Sequence, residues 1–200
     1  TDPGSKHRGI TVFLLPMNHE GLEIHPTLTI GDERTNEVFF TDVFVPDDFV
    51  VGKVNEGWIY ICEALDLERF AMMPVGPPEK KVEAFTDWAR EAERDGKPVR
   101  EDPQTRSKVA QVVTELEVAR MLQRKVVAEA VQGGVPTVAS SMYKLYMNEV
   151  GKRLANAALD AMGPTGQLKP GMEFSPLDGR FECSYRYTVV DTIGGRTSEI

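Results

Sequence analysis

The chain has 200 residues, of which 41% are hydrophobic and 8% aromatic, and it carries a formal net charge of −8. A chain of this length buries roughly two-thirds of its unfolded surface, so one or two domains with a proper core are expected. The acidic balance argues against a nucleic-acid groove or an anionic membrane surface as partner, because both need clustered surplus Lys and Arg. Small molecules and proteins remain as partners.

The sequence gives little information about the cellular compartment or about metal binding. Cys62 and Cys183 stand far apart without a Cys/His cluster, which favours a reducing compartment and gives no zinc pattern. No run of 18 apolar residues occurs and the first nine residues lack the apolar core of a signal peptide, so we expect a cytoplasmic protein without a membrane span. The three histidines have no metal-ligand spacing, and we assign no metal site.

Short β-like patterns occupy the first quarter of the chain. Apolar and β-branched residues cluster in residues 10–15, 22–25, 28–30 and 37–45, with Gly, Pro and Asp between them. Strands separated by such turn residues are typical of sheet structure. We therefore expect residues 1–55 to form a β-sheet segment.

Helical periodicity replaces this pattern after Gly57. Apolar residues at helical spacing predict helices over residues 56–73, 78–94, 106–131 and 137–162, and a shorter helix from about residue 176. Polar or glycine- and proline-rich connectors separate the helices. The sequence thus predicts an α+β fold, in which a β-sheet segment (residues 1–55) is followed by an antiparallel helical bundle domain (residues 56–200).

Glu68 is the unusual residue of the first predicted helix. The side chains one turn away from it are all apolar: Ala64, Leu65, Ala71 and Met72. Glu68 therefore occupies a position where leucine would be expected. Two interpretations stay open, since a carboxylate there is either partly exposed and paired with Arg69, or held dry as a general base for a carbon acid.

Several segments in order resemble the acyl-CoA dehydrogenase family. The resemblance rests on Gly57-Trp58, on the run 64–69, on Ala161-Met162-Gly163-Pro164-Thr165-Gly166, and on residues 185–200. Upstream, residues 9–16 and 36–46 are similar to the second half of that family's middle β domain. The similarity therefore covers nearly the whole chain.

The resemblance implies a flavoenzyme that holds FAD between the β domain and the bundle, with an acyl-CoA thioester against the flavin. A glutamate removes the α proton while the β hydride passes to the flavin, which gives a trans-2-enoyl-CoA. The resemblance also implies an electron-transfer flavoprotein as electron acceptor and assembly as a homo- or hetero-oligomer, a dimer or a tetramer.

The same resemblance implies which residue is the base. Many members carry it in the final loop, at the position of Gly195 here, whereas relatives similar to isovaleryl-CoA dehydrogenase carry it in a Leu-Asp-Leu-Glu-Arg run like residues 65–69. Because Gly195 has no carboxylate, the expected base is Glu68. Asp66 and Arg69 are expected to lie near the substrate, and a surface ion pair is the alternative for both.

Two further segments are expected to bind the cofactor. Gly163 and Gly166 resemble a turn that approaches the FAD of a neighbouring subunit, and the alternative is an ordinary helix C-cap. Thr197, Ser198 and Glu199 open a predicted helix whose free N–H groups would face a phosphate, and the alternative is ordinary N-capping.

Three positions depart from the family pattern. Asp160 stands where the family often has Gln, and Ala92 and Asp95 stand where it has Arg and Phe. Three nearby arginines are candidate substitutes: Arg90, Arg94 and Arg106. The departures keep a second interpretation open, in which the chain is a non-catalytic or FAD-poor subunit of a heterotetramer.

Overall fold

The computed structural model of the chain describes residues 6–71, 73–194 and 197, without the side chains of residues 67, 69 and 70. The chain divides into two compact units, Thr1–Leu67 and Glu68–Ile200. The division falls inside the first helix, α1, which covers Gly57–Ala71. A domain boundary between residues 55 and 56 stays a prediction.

Antiparallel strand pairs characterise the first unit. The strands are β1 (Val12–Phe13), β2 (Leu22–Leu28), β3 (Arg34–Phe40) and β4 (Val50–Val51). Strand β1 pairs with β4, and β2 pairs with β3. The sequence predicts a break at Pro26, whereas β2 runs through it, because a proline on an edge strand need not interrupt the ladder.

The start of α1 is tied to the strands of the first unit. The backbone N–H of Gly57 donates to the carbonyl of Ile10 (2.8 Å). The Tyr60 hydroxyl accepts from the backbone N–H of Lys53 (3.3 Å) and donates to the Glu56 carboxylate (3.2 Å). These bonds fix where the helix begins.

The second unit is a bundle of antiparallel helices. Its helices are α2 (Gly76–Glu91), α3 (Pro103–Val131), α4 (Thr137–Met162) and α5 (Arg180–Ile193). Because only residues 132–136 connect α3 to α4, these two long helices pack antiparallel. One core cluster surrounds Phe85, Leu154 and Phe181, and a second surrounds Tyr143 together with Val75 and Ala119.

The predicted α+β fold class is confirmed, with short strand pairs first and an antiparallel bundle after them. The bundle contains one feature that the sequence prediction missed. A hairpin of β5 (Glu93–Arg94) and β6 (Lys97–Pro98) follows α2, and it turns at Asp95 (φ 53°) and Gly96 (φ 73°). Asp-Gly is a strong signal for such a tight turn, so α2 ends at Glu91 rather than at residue 94.

Candidate active site

Glu68 lies in the last turn of α1 and its side chain is exposed. Of the two interpretations of Glu68, the described side chain fits the exposed one. Two of its apolar neighbours, Ala64 and Ala71, are exposed and Leu65 is half-buried, while Ile61, two turns earlier, is 40% exposed. Met72 lies outside the described residues. Helical periodicity places these residues on one face, but that face is not part of either core cluster.

The two residues expected beside the substrate differ in what the structure describes. Asp66 is buried, with 8% of its surface exposed, although a helix-surface position was one of its two interpretations. The side chain of Arg69 lies outside the described residues. Burial of a carboxylate requires polar partners, so Asp66 is the more constrained of the two acidic side chains on this part of α1.

The turn after α4 is built from Gly163 and Gly166. Gly163 has φ 63°, and among the described residues a Cβ atom there would meet only Arg94 Cδ, at 3.9 Å. Gly166 is buried, and a Cβ atom there would lie 3.0 Å from Met162 Cβ. Gly163 therefore leaves room for close approach from outside, whereas Gly166 permits close packing inside.

Arg94 ties this turn to the start of α3. Its guanidinium donates to the carbonyls of Asp160 (3.0 Å) and Ala161 (3.1 Å) at the end of α4, and to the Asp102 carboxylate (3.2 Å). A cation at a helix C-terminus is favourable, because it neutralises the exposed carbonyls. Of the three candidate arginines, Arg94 is thus engaged within the fold.

Asp102 is the N-cap of α3. Its carboxylate accepts from the Thr105 hydroxyl (2.7 Å) and from the backbone N–H groups of Gln104 (3.3 Å) and Thr105 (3.2 Å). The Thr105 hydroxyl is the main cause of a pKa below the ordinary value of 3.8. The backbone donors and the positive charge of Arg94 act in the same direction, while partial burial opposes them.

A groove of about 750 Å³ runs beside Gly163, between the end of α4 and the first turns of α5. Six of its nine lining residues have polar side chains: Asn156, Asp160, Gln167, Glu182, Tyr185 and Arg186, beside Leu159, Gly163 and Pro164. Asp160 pairs with Lys108 of α3. Glu182 and Arg186 form an ion pair (2.6 Å) that is largely buried. Glu68 is not among the lining residues.

The C-terminal candidates are described only in part. Thr197 is half-buried and has no regular secondary structure. Ser198, Glu199 and Gly195 lie outside the described residues. Their expected cofactor contacts stay predictions.

The helical part of the chain matches a known domain. The family model "Acyl-CoA dehydrogenase, C-terminal domain" matches residues 55–200. The chain belongs to the acyl-CoA dehydrogenase family. It is 32% identical to acyl-CoA dehydrogenase FadE34 of Mycobacterium tuberculosis, over 100% of this chain and 26% of that protein. It is 30% identical to the rat mitochondrial short/branched chain specific acyl-CoA dehydrogenase, over 100% of this chain and 45% of that protein.

Two solved structures have the same fold. The Tcur3481-Tcur3483 steroid ACAD matches with a TM-score of 0.89 and 28% identity, over 100% of this chain and 51% of that chain. The ChsE4-ChsE5 complex from Mycobacterium tuberculosis matches with a TM-score of 0.87 and 26% identity, over 100% and 52%. The chain spans about half the length, or less, of the relatives it matches. Among the described residues, no helix is both long and apolar enough to cross a bilayer.

Proposed function

We propose that the whole protein is an FAD-dependent acyl-CoA dehydrogenase, in which Glu68 removes the α proton of an acyl-CoA thioester to give the trans-2-enoyl-CoA. The observation that carries this proposal is the position of an accessible carboxylate in the last turn of α1, within a domain of this family. A general base must reach the proton that it removes, and an accessible carboxylate meets this condition. FAD, when bound, accepts the β hydride.

Because Glu68 is exposed in the described chain, the bound substrate would have to exclude water from its carboxylate. Beside Glu68 the face of α1 presents Ile61, Ala64 and Leu65, which are exposed or half-buried. A thioester and its acyl chain lying on this apolar face would displace water from the carboxylate and make it a stronger base only when substrate is present. Under this proposal, Asp66 and Arg69 lie near the thioester arm.

We infer that one edge of the dinucleotide would lie in the groove at Gly163. Gly163 leaves room for close approach of a ligand, and Asn156, Gln167 and Tyr185 supply amide and hydroxyl donors. Lys108 neutralises Asp160, so that its charge does not repel a phosphate. Gly163 and Gly166 would therefore hold FAD from a neighbouring subunit of a dimer or tetramer, and Thr197, Ser198 and Glu199 would complete its binding.

A second candidate function rests on Arg94. The family's arginine is replaced by Ala92, and the guanidinium of Arg94 is already engaged with α4 and Asp102. The hairpin tip carries the exposed carboxylate of Asp95 instead, which disfavours an anionic diphosphate. The alternative is a subunit with little FAD of its own that completes a heterotetramer with a flavin-binding partner chain.

The decisive experiment is Glu68→Gln in the full-length protein. If Glu68 is the base, acyl-CoA dehydrogenation with electron-transfer flavoprotein as acceptor falls about 10²- to 10⁴-fold, while flavin content is unchanged. Glu63→Gln is the matched control, since Glu63 is another exposed glutamate of α1. Near wild-type turnover in the Glu68 variant would refute the assignment. Full-length protein that is colourless until a partner chain is added would favour the second candidate.

A further inference from the structure

A second groove lies on a different surface of the bundle, where the last turn of α2 meets the first turns of α3. Its volume is about 520 Å³, which lies within the range of small-molecule sites. Three arginines line it: Arg90, Arg100 and Arg106. Arg90 and Arg106 are two of the three candidate substitutes for the family's arginine, whereas no pattern in the sequence singles out Arg100.

Main-chain carbonyls anchor two of these three arginines, which together are called the arginine row. Arg100 Nη1 lies 3.3 Å from the carbonyl oxygen of Arg90, and Arg106 Nη1 lies 3.5 Å from the carbonyl oxygen of Arg100. Each contact uses one N–H group of a guanidinium that has five. Most of the donors therefore remain available to a ligand in the groove.

The positive charge of the row is only partly neutralised. Arg90 pairs with the exposed Asp87 (2.5 Å), but Arg100 and Arg106 form no ion pair with any described residue. Glu101 also lines the groove, without a described bond to these guanidiniums. Cations that line one groove attract an anion bound there.

The remaining lining is apolar or already hydrogen-bonded. Ala89 is 6% exposed and Val109 is half-buried, and both line the groove. The Thr86 hydroxyl donates to the carbonyls of Val82 and Glu83, and the Thr105 hydroxyl donates to Asp102. The groove thus combines an apolar surface with a row of cations.

We propose that this groove binds a phosphorylated ligand of nucleotide size, with its phosphoryl groups on Arg100 and Arg106 and its apolar ring against Ala89 and Val109. Guanidinium groups match phosphate oxygens with two parallel hydrogen bonds. The concave shape and the small volume favour a single small ligand over an extended acidic surface. The shared chemistry is an adenosine diphosphate group, whether it comes from a free nucleotide or from a coenzyme that contains one.

Calorimetric titration of the full-length, flavin-loaded protein with ADP tests this site. The variant is Arg100→Gln/Arg106→Gln, and the matched control is Arg124→Gln, an exposed arginine of α3 that contacts Met121 and forms no described ion pair. ADP affinity should fall about 10- to 100-fold in the double variant, because two charge-assisted contacts are lost, and should stay at the wild-type value in the control. Equal ADP affinity in all three proteins would overturn the proposal.

Three further titrations identify the source of the anion. Inorganic pyrophosphate that binds more weakly than ADP, with the same dependence on Arg100 and Arg106, supports a role for the apolar surface. Coenzyme A and ADP ribose are titrated next. A ligand that binds in this groove will bind more weakly to the double variant, so the ligands that lose affinity show whether the source is a coenzyme or a free nucleotide. Adenosine that binds as tightly as ADP would contradict the assignment of the phosphoryl groups to the arginines. Dehydrogenation by the double variant reports separately on Glu68, which this groove does not contain.

Discussion

Tyr143→Phe tests how the bundle holds the segment that follows the proposed catalytic helix. Tyr143 on α4 is fully buried, and its hydroxyl donates to the backbone carbonyl of Met73. Val75, two residues further on, is 4% exposed and belongs to the same core cluster as Tyr143. The hydroxyl therefore fixes the chain five residues after Glu68 to the bundle, and the substitution removes it while keeping the ring.

The expected loss has two parts. Removal of one partner from a buried hydrogen bond leaves the Met73 carbonyl unsatisfied, which costs about 1–3 kcal/mol of the free energy of unfolding. Burial, with a smaller effect of the Glu79 charge, raises the pKa of Tyr143 from 10.0 to about 12. Between these two values the unfolded chain loses the phenol proton and the folded chain keeps it, so rising pH destabilises the wild type by up to about 3 kcal/mol.

Urea unfolding of the full-length wild type and of its Tyr143→Phe variant, followed by circular dichroism, measures both parts. Near pH 8 the variant should be less stable, with an unchanged dependence on urea. As pH rises above 10 the two proteins should converge, because only the wild type has this phenol to ionise. A gap that stays constant with pH, or no gap near pH 8, would refute the role of the buried hydroxyl.

Two other substitutions probe the turn and the cap. Gly166→Ala should destabilise the protein by about 1–3 kcal/mol in thermal unfolding, because the new methyl group would lie 3.0 Å from Met162 Cβ. Its control, Gly151→Ala, places a methyl group in open space within α4 and should stabilise by about 0.5–1 kcal/mol, so equal effects would contradict the packing argument. Asp102→Ala should lower the melting temperature at neutral pH. The lowered pKa of Asp102 means that this carboxylate stabilises the fold above pH 3.8 and stops doing so as pH falls through its folded value, so the gap between variant and wild type should close in acid.

Most of the bundle could be predicted from helical periodicity. The predicted fourth helix, residues 137–162, has the observed bounds of α4, because Pro136 and Gly163 flank an uninterrupted helical pattern. The end of α2 was harder to predict, since its residues continue a helical pattern up to Arg94. The Asp95-Gly96 turn sets the end of α2, because its backbone conformation forms a hairpin in place of a further helical turn. The spacing of apolar residues gives no information on backbone conformation.

Periodicity also could not tell which face of α1 is covered. Glu68 shares a face with Ala64 and Leu65, and the pattern alone suggests that such a face is buried. This face lies outside both core clusters. The prediction missed this because periodicity determines which residues lie together and not what packs on them. Under the proposed function, an apolar face that the bound thioester covers would serve the base better than a face already covered by protein.

The three candidate arginines lie at different places in the fold, which the sequence alone does not show. Arg90, Arg94 and Arg106 are equivalent as candidates in the sequence, since each is a cation near the polar connector. The fold separates them, because the β5–β6 hairpin directs Arg94 toward the carbonyls that end α4, while Arg90 and Arg106 line the groove between α2 and α3. A guanidinium that caps a helix has fewer donors left for a phosphate, so the anion-binding capacity of this region lies with Arg100 and Arg106.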